Sequence, residues 1–494
     1  MLDYLVRFAQ THESFRLPEL QALASLHHVR LQIIHYSEYF PFAVVRLPDG
    51  GSIANVASRA ILVQSVYELW GEGRDYESLH ASVKSIAVKE IPKYRYTSFK
   101  FTFDSFQGSK TSATQCQLIE SFSWLDFRGV ISMKAAEQSF VIFEEYPSLD
   151  NPADTTHKAR KFGEIPTKLY LGRLVGLGSR DLINKYSLKK RSYLSTTSMD
   201  AEMSLVMANM IHARPGSLIF DPFVGTGSLT ISCAHFGAAV FGSDIDPRAL
   251  RGKNGLGLKS NFQQYETSDQ DLGSFTSDLV NTPLRGWSGP SATGNSTHCC
   301  EWLDGIVCDP PYGVREGLKT LGHRNDPDRK IHYSADGQAL HLHSDYIAPK
   351  KPYSFVTILN DLLSFAAAVL VPDGRLSFWM PTADDVEETL PIPTHGKLEL
   401  IAVCVQPFGK WSRRLITYRK RHSESCPSSP QVSGTYEAMD DTKAVDAEGL
   451  ESLTATMPAG TQADDLNPFR KRYFEGFRPR TTKQPDKPEL SSNS

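Results

Sequence analysis

From about residue 199 onward the chain alternates strand-like and helix-like stretches, which predicts an α/β fold with a parallel sheet covered on both faces. Three observations carry this expectation. Ser217-Leu218-Ile219-Phe220 is a short buried-strand run that ends in Asp221-Pro222-Phe223-Val224-Gly225-Thr226-Gly227-Ser228 and passes into an apolar helical stretch from Leu229 to Phe236. Ala239-Val240-Phe241-Gly242 follows as the next strand and ends in Ser243-Asp244-Ile245-Asp246. Gly305-Ile306-Val307-Cys308 ends in Asp309-Pro310-Pro311-Tyr312. In open sheets of this kind ligands bind beyond the carboxyl ends of the strands, where all three polar endings fall.

Ahead of this region, residues 1–60 mix helix-like runs such as Leu17-Pro18-Glu19-Leu20-Gln21-Ala22-Leu23 with strand-like ones such as Val44-Val45-Arg46-Leu47. That mixture predicts a small N-terminal α+β domain. Residues 61–160 continue in kind. Val63-Gln64-Ser65-Val66-Tyr67-Glu68-Leu69-Trp70 reads as an amphipathic helix, and residues 96–103 alternate as a strand should. The aromatic stripe of that strand can stack on bases, but such stripes more commonly face a core. After Val141-Ile142-Phe143 the sequence turns polar, and residues 161–198 read as a basic linker into a catalytic domain at 199–420.

Later elements follow the same alternation. Ser277-Asp278 closes a short strand-like run, and residues 286–300 read as a loop insertion. Between Gly313 and Tyr353 lies a long polar stretch containing His323, His332, His341 and His343. No carboxylate–histidine spacing accompanies these histidines, so no metal site is expected there. A long loop beside a polar strand ending reads as a substrate lid. A helix over 356–370, a strand over 375–380 and a closing strand pair over 397–418 complete the domain. Residues 421–494 read as a mostly disordered acidic tail, with an aromatic and basic island at 468–477 suited to a docking helix.

Asp309-Pro310-Pro311-Tyr312 has the sharpest chemical implication. An exocyclic amine conjugated to a purine ring or an amide is a poor nucleophile while its lone pair is delocalised. A carboxylate and a backbone carbonyl, each accepting one N–H, draw that lone pair out of the ring plane. Asp309 and the Pro310 carbonyl are the candidates. Two prolines in a row fix φ and remove donors, leaving a stiff corner whose carbonyls can accept. Tyr312 would stack on the target ring, a contact worth roughly 1–3 kcal/mol with little sequence preference. By itself the tetrad reads as a strand-ending turn, and the upstream glycine loop tips the balance.

In that loop Gly225 and Gly227 remove side chains that would hold a ligand off the backbone, and the next helix offers free N–H groups and a positive dipole end. Position 230 is Thr230, so the full GxGxxG pattern fails and a nicotinamide or flavin cofactor is disfavoured. Asp244 lies 19 residues after Gly225, where a second-strand acid hydrogen-bonds ribose hydroxyls. The candidate cofactor-binding residues are thus Asp221, Pro222, Phe223, Gly225, Gly227, Asp244 and Ile245. Asp278 joins them as an acid able to approach an adenine, with a plain loop acid as the alternative.

Loop, ribose acid and tetrad in this order resemble the S-adenosylmethionine-dependent methyltransferases of exocyclic amino groups. Residues 176–182, 189–200, 312–317, 351–355, 374–381 and 410–415 look like the catalytic subunit of the eukaryotic tRNA (guanine-10-N2) methyltransferase. The similarity runs from residue 1 to about 420 and is most specific between 172 and 415. It implies a Rossmann-like methyltransferase domain, α/β in class, preceded by α+β N-terminal and THUMP-type RNA-binding domains. It further implies S-adenosylmethionine as cofactor, tRNA as substrate, and a small zinc-binding activator subunit as heterodimer partner. The catalytic residues would be Asp309, Pro310 and Tyr312. The insertion at 286–300 and the acidic linker before Pro468 match nothing in the family pattern. Two other readings remain: an amino-group methyltransferase acting on DNA adenine or protein glutamine, and a non-catalytic RNA-binding scaffold. The basic upstream region opposes the first, and the intact Asp309 and glycine loop oppose the second.

Net charge is −3 over 494 residues, yet the average hides a segregation. Residues 158–191 hold ten Lys or Arg against two acids, and 424–465 hold nine acids against one Lys. Lys189, Lys190 and Arg191, directly before the cofactor domain, can neutralise phosphates, and Arg315 just past the tetrad joins them as candidate RNA-binding residues. No apolar run approaches the roughly 18 residues that a membrane helix needs. The first residues show no secretory pattern. Seven cysteines with no CxxC pair point to a reducing, cytoplasmic setting.

Overall fold

Apolar residues alternating between two faces draw the first part of the protein into one seven-stranded sheet. The computed structural model describes residues 2–47, 51–146, 165–285, 301–314, 317–321, 331, 333–343, 350–383, 391–409, 411–422, 469–470 and 473. They form two units, Met1–Arg191 with Met199–His212, and Ser192–Ser198 with Ala213–Ser494.

The first unit runs β1 (Leu2–Phe8), α1 (Glu13–Leu26), β2 (Gln32–Tyr36), β3 (Phe42–Leu47), α2 (Gly51–Ala57), β4 (Val63–Gly73), α3 (Tyr76–Tyr94), β5 (Phe99–Phe106), α4 (Ser112–Glu120), β6 (Gln138–Glu145), β7 (Lys168–Leu177), α5 (Asp181–Lys185) and α6 (Ala201–Met210). Strand order is β2-β3-β1-β4-β7-β6-β5, antiparallel except where β5 pairs with β6. One face packs Tyr4, Val6 and Phe8 with Leu20 and Leu23 of α1. Farther along the sheet Trp70, Phe140 and Ile142 pack with Leu79 and Val83 of α3. The other face gathers Leu5, Phe42, Tyr67, Phe106, Phe143 and Tyr170. These rings meet because the sheet curls: Phe42 on β3 and Phe106 on β5, near its opposite ends, lie edge to face at 6.2 Å. Across the same fold Arg7 Nε donates to Asp104 Oδ2 at 3.0 Å. The buried Arg7 cation thereby has a hydrogen-bonded partner, as a buried ion requires, while Asp104 stays partly open to solvent.

Four expectations change here. Val63–Trp70 is strand, not helix. β4 lies inside the sheet, so both its faces are apolar, and register shifts at Val66/Tyr67 and Leu69/Gly71 space Val63, Val66 and Trp70 like a helical stripe. The boundary set at residue 60 crosses this sheet, since β1 pairs with β4. The linker at 161–198 contains β7, which sits between β4 and β6 and so cannot be a tether. The helix that was to open the catalytic domain, α6, belongs to the first unit: Asn209 Nδ2 donates to Glu19 Oε1 of α1 at 2.7 Å.

The second unit runs β8 (Leu218–Asp221), α7 (Ser228–His235), β9 (Ala239–Asp244), α8 (Pro247–Arg251), α9 (Leu258–Gln264), β10 (Asp271–Thr276), β11 (Leu303–Cys308), β12 (Lys319–Thr320), β13 (Lys351–Pro352), α10 (Phe355–Val369), β14 (Leu370–Ala383), β15 (Leu398–Pro407) and β16 (Trp411–Lys420). Its main sheet has the order β10-β9-β8-β11-β14-β16-β15. The first five strands are parallel and the last two antiparallel. Helix α10 buries Phe355, Ile358, Leu362, Phe365 and Val369 at alternating spacings of three and four, a single apolar stripe. The backbone steps outward from β8 to β9 and β10, then returns to the other side of β8 as β11. The direction of winding reverses between β8 and β11, and a crevice opens at such a point. The insertion at 286–300, Arg315, most of the expected lid and the acidic linker lie outside the described residues.

Candidate active site

Parallel register brings the polar strand endings into one row. Asp221 pairs with Gly242, Asp244 with Thr276, Phe220 with Ile306 and Cys308 with Phe378. Asp221, Asp244 and Asp309 therefore stand at or just past the carboxyl ends of β8, β9 and β11, with Asp221 and Asp309 flanking the reversal.

The glycine loop is tied down by its own backbone. Val224 N donates to Ser243 O at 2.9 Å, and Gly225 N donates to Asp244 Oδ2 at 3.0 Å. Asp246 N donates to Asp244 Oδ1 at 2.8 Å, so both carboxylate oxygens are oriented. Gly225 (φ +49) and Gly227 (φ +81) adopt the left-handed region that favours glycine. A Cβ on Gly227 would lie 2.2 Å from Leu258 Cδ1, whereas one on Gly225 would meet nothing closer than Phe223 O at 3.9 Å. Gly227 is thus needed for packing, and Gly225 leaves open space beside the backbone. Pro222 is buried, and Phe223 and Ile245 are half-buried.

Asp221 is 1 % exposed and accepts from Phe223 N at 2.9 Å. Burial pushes its carboxyl well above the usual range, Phe223 N–H opposes this, and Asp244 and Asp309 add to it. Asp246, by contrast, is held down to about 2, chiefly by its hydrogen bonds with Arg248. Asp278 accepts from Asn281 N (2.6 Å), Thr320 Oγ1 (2.7 Å) and Leu321 N (2.6 Å), which fastens the segment beyond the tetrad to the end of β10.

At the tetrad, Tyr312 Oη donates to Asp309 Oδ1 at 2.5 Å. Burial and the neighbouring Asp309 charge both push the Tyr312 hydroxyl well up, so it remains a donor. Arg413 Nη1 stands 3.9 Å from Asp309 Oδ2. The Tyr312 ring meets Trp411 edge-on at 6.5 Å, and Trp411 stacks on Phe408 at 4.7 Å. From the tail island, Phe469 packs on Trp411 at 5.6 Å and Tyr473 at 6.4 Å. Sequence reasoning gave no role to Arg413, Trp411 or Phe408. For Trp411 and Arg413 the signal was present in the stretch 410–415, noticed only for its resemblance.

Lys189 and Lys190 are exposed in the first unit, while Arg191 is buried and so does not offer its guanidinium to a phosphate at the surface. Of the four loop histidines His341 and His343 are described, and among the described residues no group of three or more His, Cys, Asp or Glu is placed to hold a metal ion. An open backbone cradle at Gly225 next to an oriented acid at Asp244 fits an adenosyl cofactor. A carboxylate there can accept hydroxyl donors, and the bare backbone leaves room for a ligand to approach closely.

Two family profiles match the protein, one described as Tmrp11 THUMP N-terminal domain over residues 2–180 and one as RMKL-like, methyltransferase domain over residues 189–323. A tRNA (guanine(10)-N(2))-methyltransferase of Saccharomyces cerevisiae is 39% identical over 430 residues, covering 86% of this chain and 94% of that one. The chain belongs to the tRNA (guanine(10)-N(2))-methyltransferase family. The Schizosaccharomyces pombe member is 35% identical over 85% of this chain and 90% of its own, and the Homo sapiens member 32% identical over 84% and 88%. The methyltransferase-domain match holds both the glycine loop and the tetrad, and the THUMP match extends across the curled sheet of the first unit. No described helix is long and apolar enough to cross a membrane.

Proposed function

We propose that this protein is the catalytic subunit of a tRNA methyltransferase that transfers the methyl group of S-adenosylmethionine to the exocyclic N2 of guanine 10. The observation that carries the reading is the placement of Asp309 beside the crevice between β8 and β11, one strand from the open glycine loop. Gly225, Gly227 and Asp244 would hold the cofactor, with Asp221, Pro222, Phe223 and Ile245 shaping its bed. Bound S-adenosylmethionine supplies a methylsulfonium, an electrophile that needs no further activation.

The protein's own residues act on the acceptor. Asp309 Oδ2 and the Pro310 carbonyl each accept one N–H of the guanine amino group, which frees the nitrogen lone pair to attack. Tyr312, tethered to Asp309 through Oδ1, presents its ring for stacking. As the N–C bond forms and the S–C bond breaks, the nitrogen sheds one proton to Asp309, which passes it to solvent, and S-adenosylhomocysteine leaves. Orientation and fixed charge supply the acceleration, with no covalent intermediate. Asp278, fully engaged by protein donors, contributes by holding the segment beyond the tetrad. Lys189 and Lys190 supply charge for RNA phosphates. A small zinc-binding activator subunit as partner and a cytoplasmic setting complete the proposal, the latter supported by seven cysteines with no CxxC pair.

The test is methyl transfer from labelled S-adenosylmethionine to unmodified tRNA by the protein co-expressed with the activator, followed by nucleoside analysis. N2-methylguanosine from the native protein is expected. Asp309→Asn should lower transfer by about 10²-fold or more while cofactor binding persists. Equal transfer by native and variant would remove Asp309 from the chemistry.

A further inference from the structure

Arg413 lies on β16, a strand that ends neither the glycine loop nor the tetrad, yet its guanidinium reaches Asp309. We infer that Arg413 is a positioning residue that keeps the Asp309 carboxylate ionised and turned toward the acceptor nitrogen, an inference that rests on the proposed transfer to an exocyclic amine.

The side chain is fixed from several directions. Arg413 pairs with Pro381 of β14 and with Gln406 of β15. Trp379, two residues along β14 from Pro381, lies under the guanidinium at 4.1 Å, and Phe408 lies 5.3 Å from it. Gln406 Oε1 accepts from Arg413 Nε at 2.7 Å. A planar cation held by two ring faces and a hydrogen bond is a fixed charge rather than a mobile arm. That charge is aimed at one carboxylate oxygen, since Nη1 is 3.9 Å from Asp309 Oδ2, while Tyr312 holds the other at 2.5 Å. The Tyr312 hydrogen bond fixes one oxygen, and the Arg413 charge, beyond hydrogen-bond reach, favours turning the other toward it before substrate arrives.

The surroundings explain why a cation is needed. Among the described residues, the groups that interact with Asp309 include Asp221 from β8, Cys308 from β11, Tyr312 from its own turn and Arg413 from β16. A cation fixed at this range favours the charged form of a carboxylate. A protonated Asp309 could accept the amino proton only poorly. Arg413 therefore acts on the acceptor through Asp309 and touches no reacting atom.

The experiment compares the full native protein with Arg413→Gln, Arg413→Lys and Gln406→Leu. In single-turnover transfer to tRNA as a function of pH, the acid limb in Arg413→Gln is expected to move up by about one pH unit or more, as loss of an opposite charge at this range requires. Its rate deficit should shrink as pH rises, with the KM for tRNA little changed. Arg413→Lys should restore most of the limb, and Gln406→Leu, a half-buried strand position that leaves the fold intact, should move it slightly in the same direction. The second readout needs no tRNA: calorimetry of S-adenosylmethionine binding in buffers of different ionisation heat. Within the acid limb, Arg413→Gln should release more protons on cofactor binding than native protein does, as the bound sulfonium favours ionised Asp309, and adding Asp309→Asn should abolish the difference. An unmoved acid limb, with loss confined to the KM for tRNA and no difference in proton release, would overturn the inference. If native protein fails to methylate tRNA, the proposed function falls, while the proton count still decides the role of Arg413.

Discussion

Glu145 ends β6 at 5 % exposure, and burial pushes its carboxyl up to about 7 from an ordinary 4.5, with Lys168 pulling the other way. In the interval between those values the folded protein binds more proton than the unfolded one, so stability falls as pH rises. The contribution is fully present below about 4.5 and gone above about 7. Glu19, raised by burial despite hydrogen bonds from Ile61 N and Leu62 N, acts in the same direction. Asp246 has the opposite sign: depressed to about 2, it loses its contribution only below 3.8, outside this window. The Glu145 contribution is therefore expected to decline from pH 5 to 7, against the opposite trend of His27, His35, His80 and His395, whose pKa burial lowers. Melting temperature in Glu145→Gln should fall less, or rise more, over that interval than in native protein. A slope identical in native protein and variant would mean that Glu145 is not the group responsible. The same burial rule separates the acids of the site. Asp221, enclosed, has its carboxyl pushed well up by burial, and Asp309 has a cation beside it.

At the scale of elements, the turn from β8 into α7 divides two duties between two glycines. Alanine at either position meets a left-handed backbone that costs roughly 1–2 kcal/mol. At Gly227 the added Cβ also drives into Leu258 of α9, whereas at Gly225 it projects into open space. Gly227→Ala is expected to lower both melting temperature and cofactor affinity. Gly225→Ala should keep stability within about 2 kcal/mol of native while reducing affinity for S-adenosylhomocysteine by tenfold or more in calorimetry. Tight binding by Gly225→Ala would place the cofactor elsewhere. This turn and the tetrad were legible in the sequence because each is a run of consecutive residues whose chemistry is local. The arrival of Arg413 and Trp411 was not, since β16 reaches Asp309 only once β14 lies between it and β11. Nor was β4, where register shifts gave a strand the spacing of a helical stripe. Continuity of the first sheet past residue 60 likewise depends on β1 pairing with β4, and no local pattern records that pairing.

Over the whole molecule, charge is segregated although the sum is near neutral: basic residues concentrate in 158–191 and acids in 424–465. A net charge of −3 would repel RNA if spread evenly, so binding must rely on where cations stand exposed. Lys189 and Lys190 are exposed and Arg191 is buried, which splits the basic triplet into two kinds of residue. Each phosphate contact contributes roughly 0.7–0.9 to the slope of log affinity against log salt. Replacing Lys189 and Lys190 together by Ala should therefore reduce the steepness for tRNA by about 1.5 and weaken binding to different tRNAs alike. Arg191→Ala should instead lower the melting temperature, because it removes a buried side chain and leaves the surface charge of the triplet in place. Titrations of full-length tRNA at several salt concentrations read the slope. A double lysine variant with native slope would show that the phosphates meet other cations of the protein, and a strong slope change in Arg191→Ala without loss of stability would show that this side chain turns outward when RNA binds.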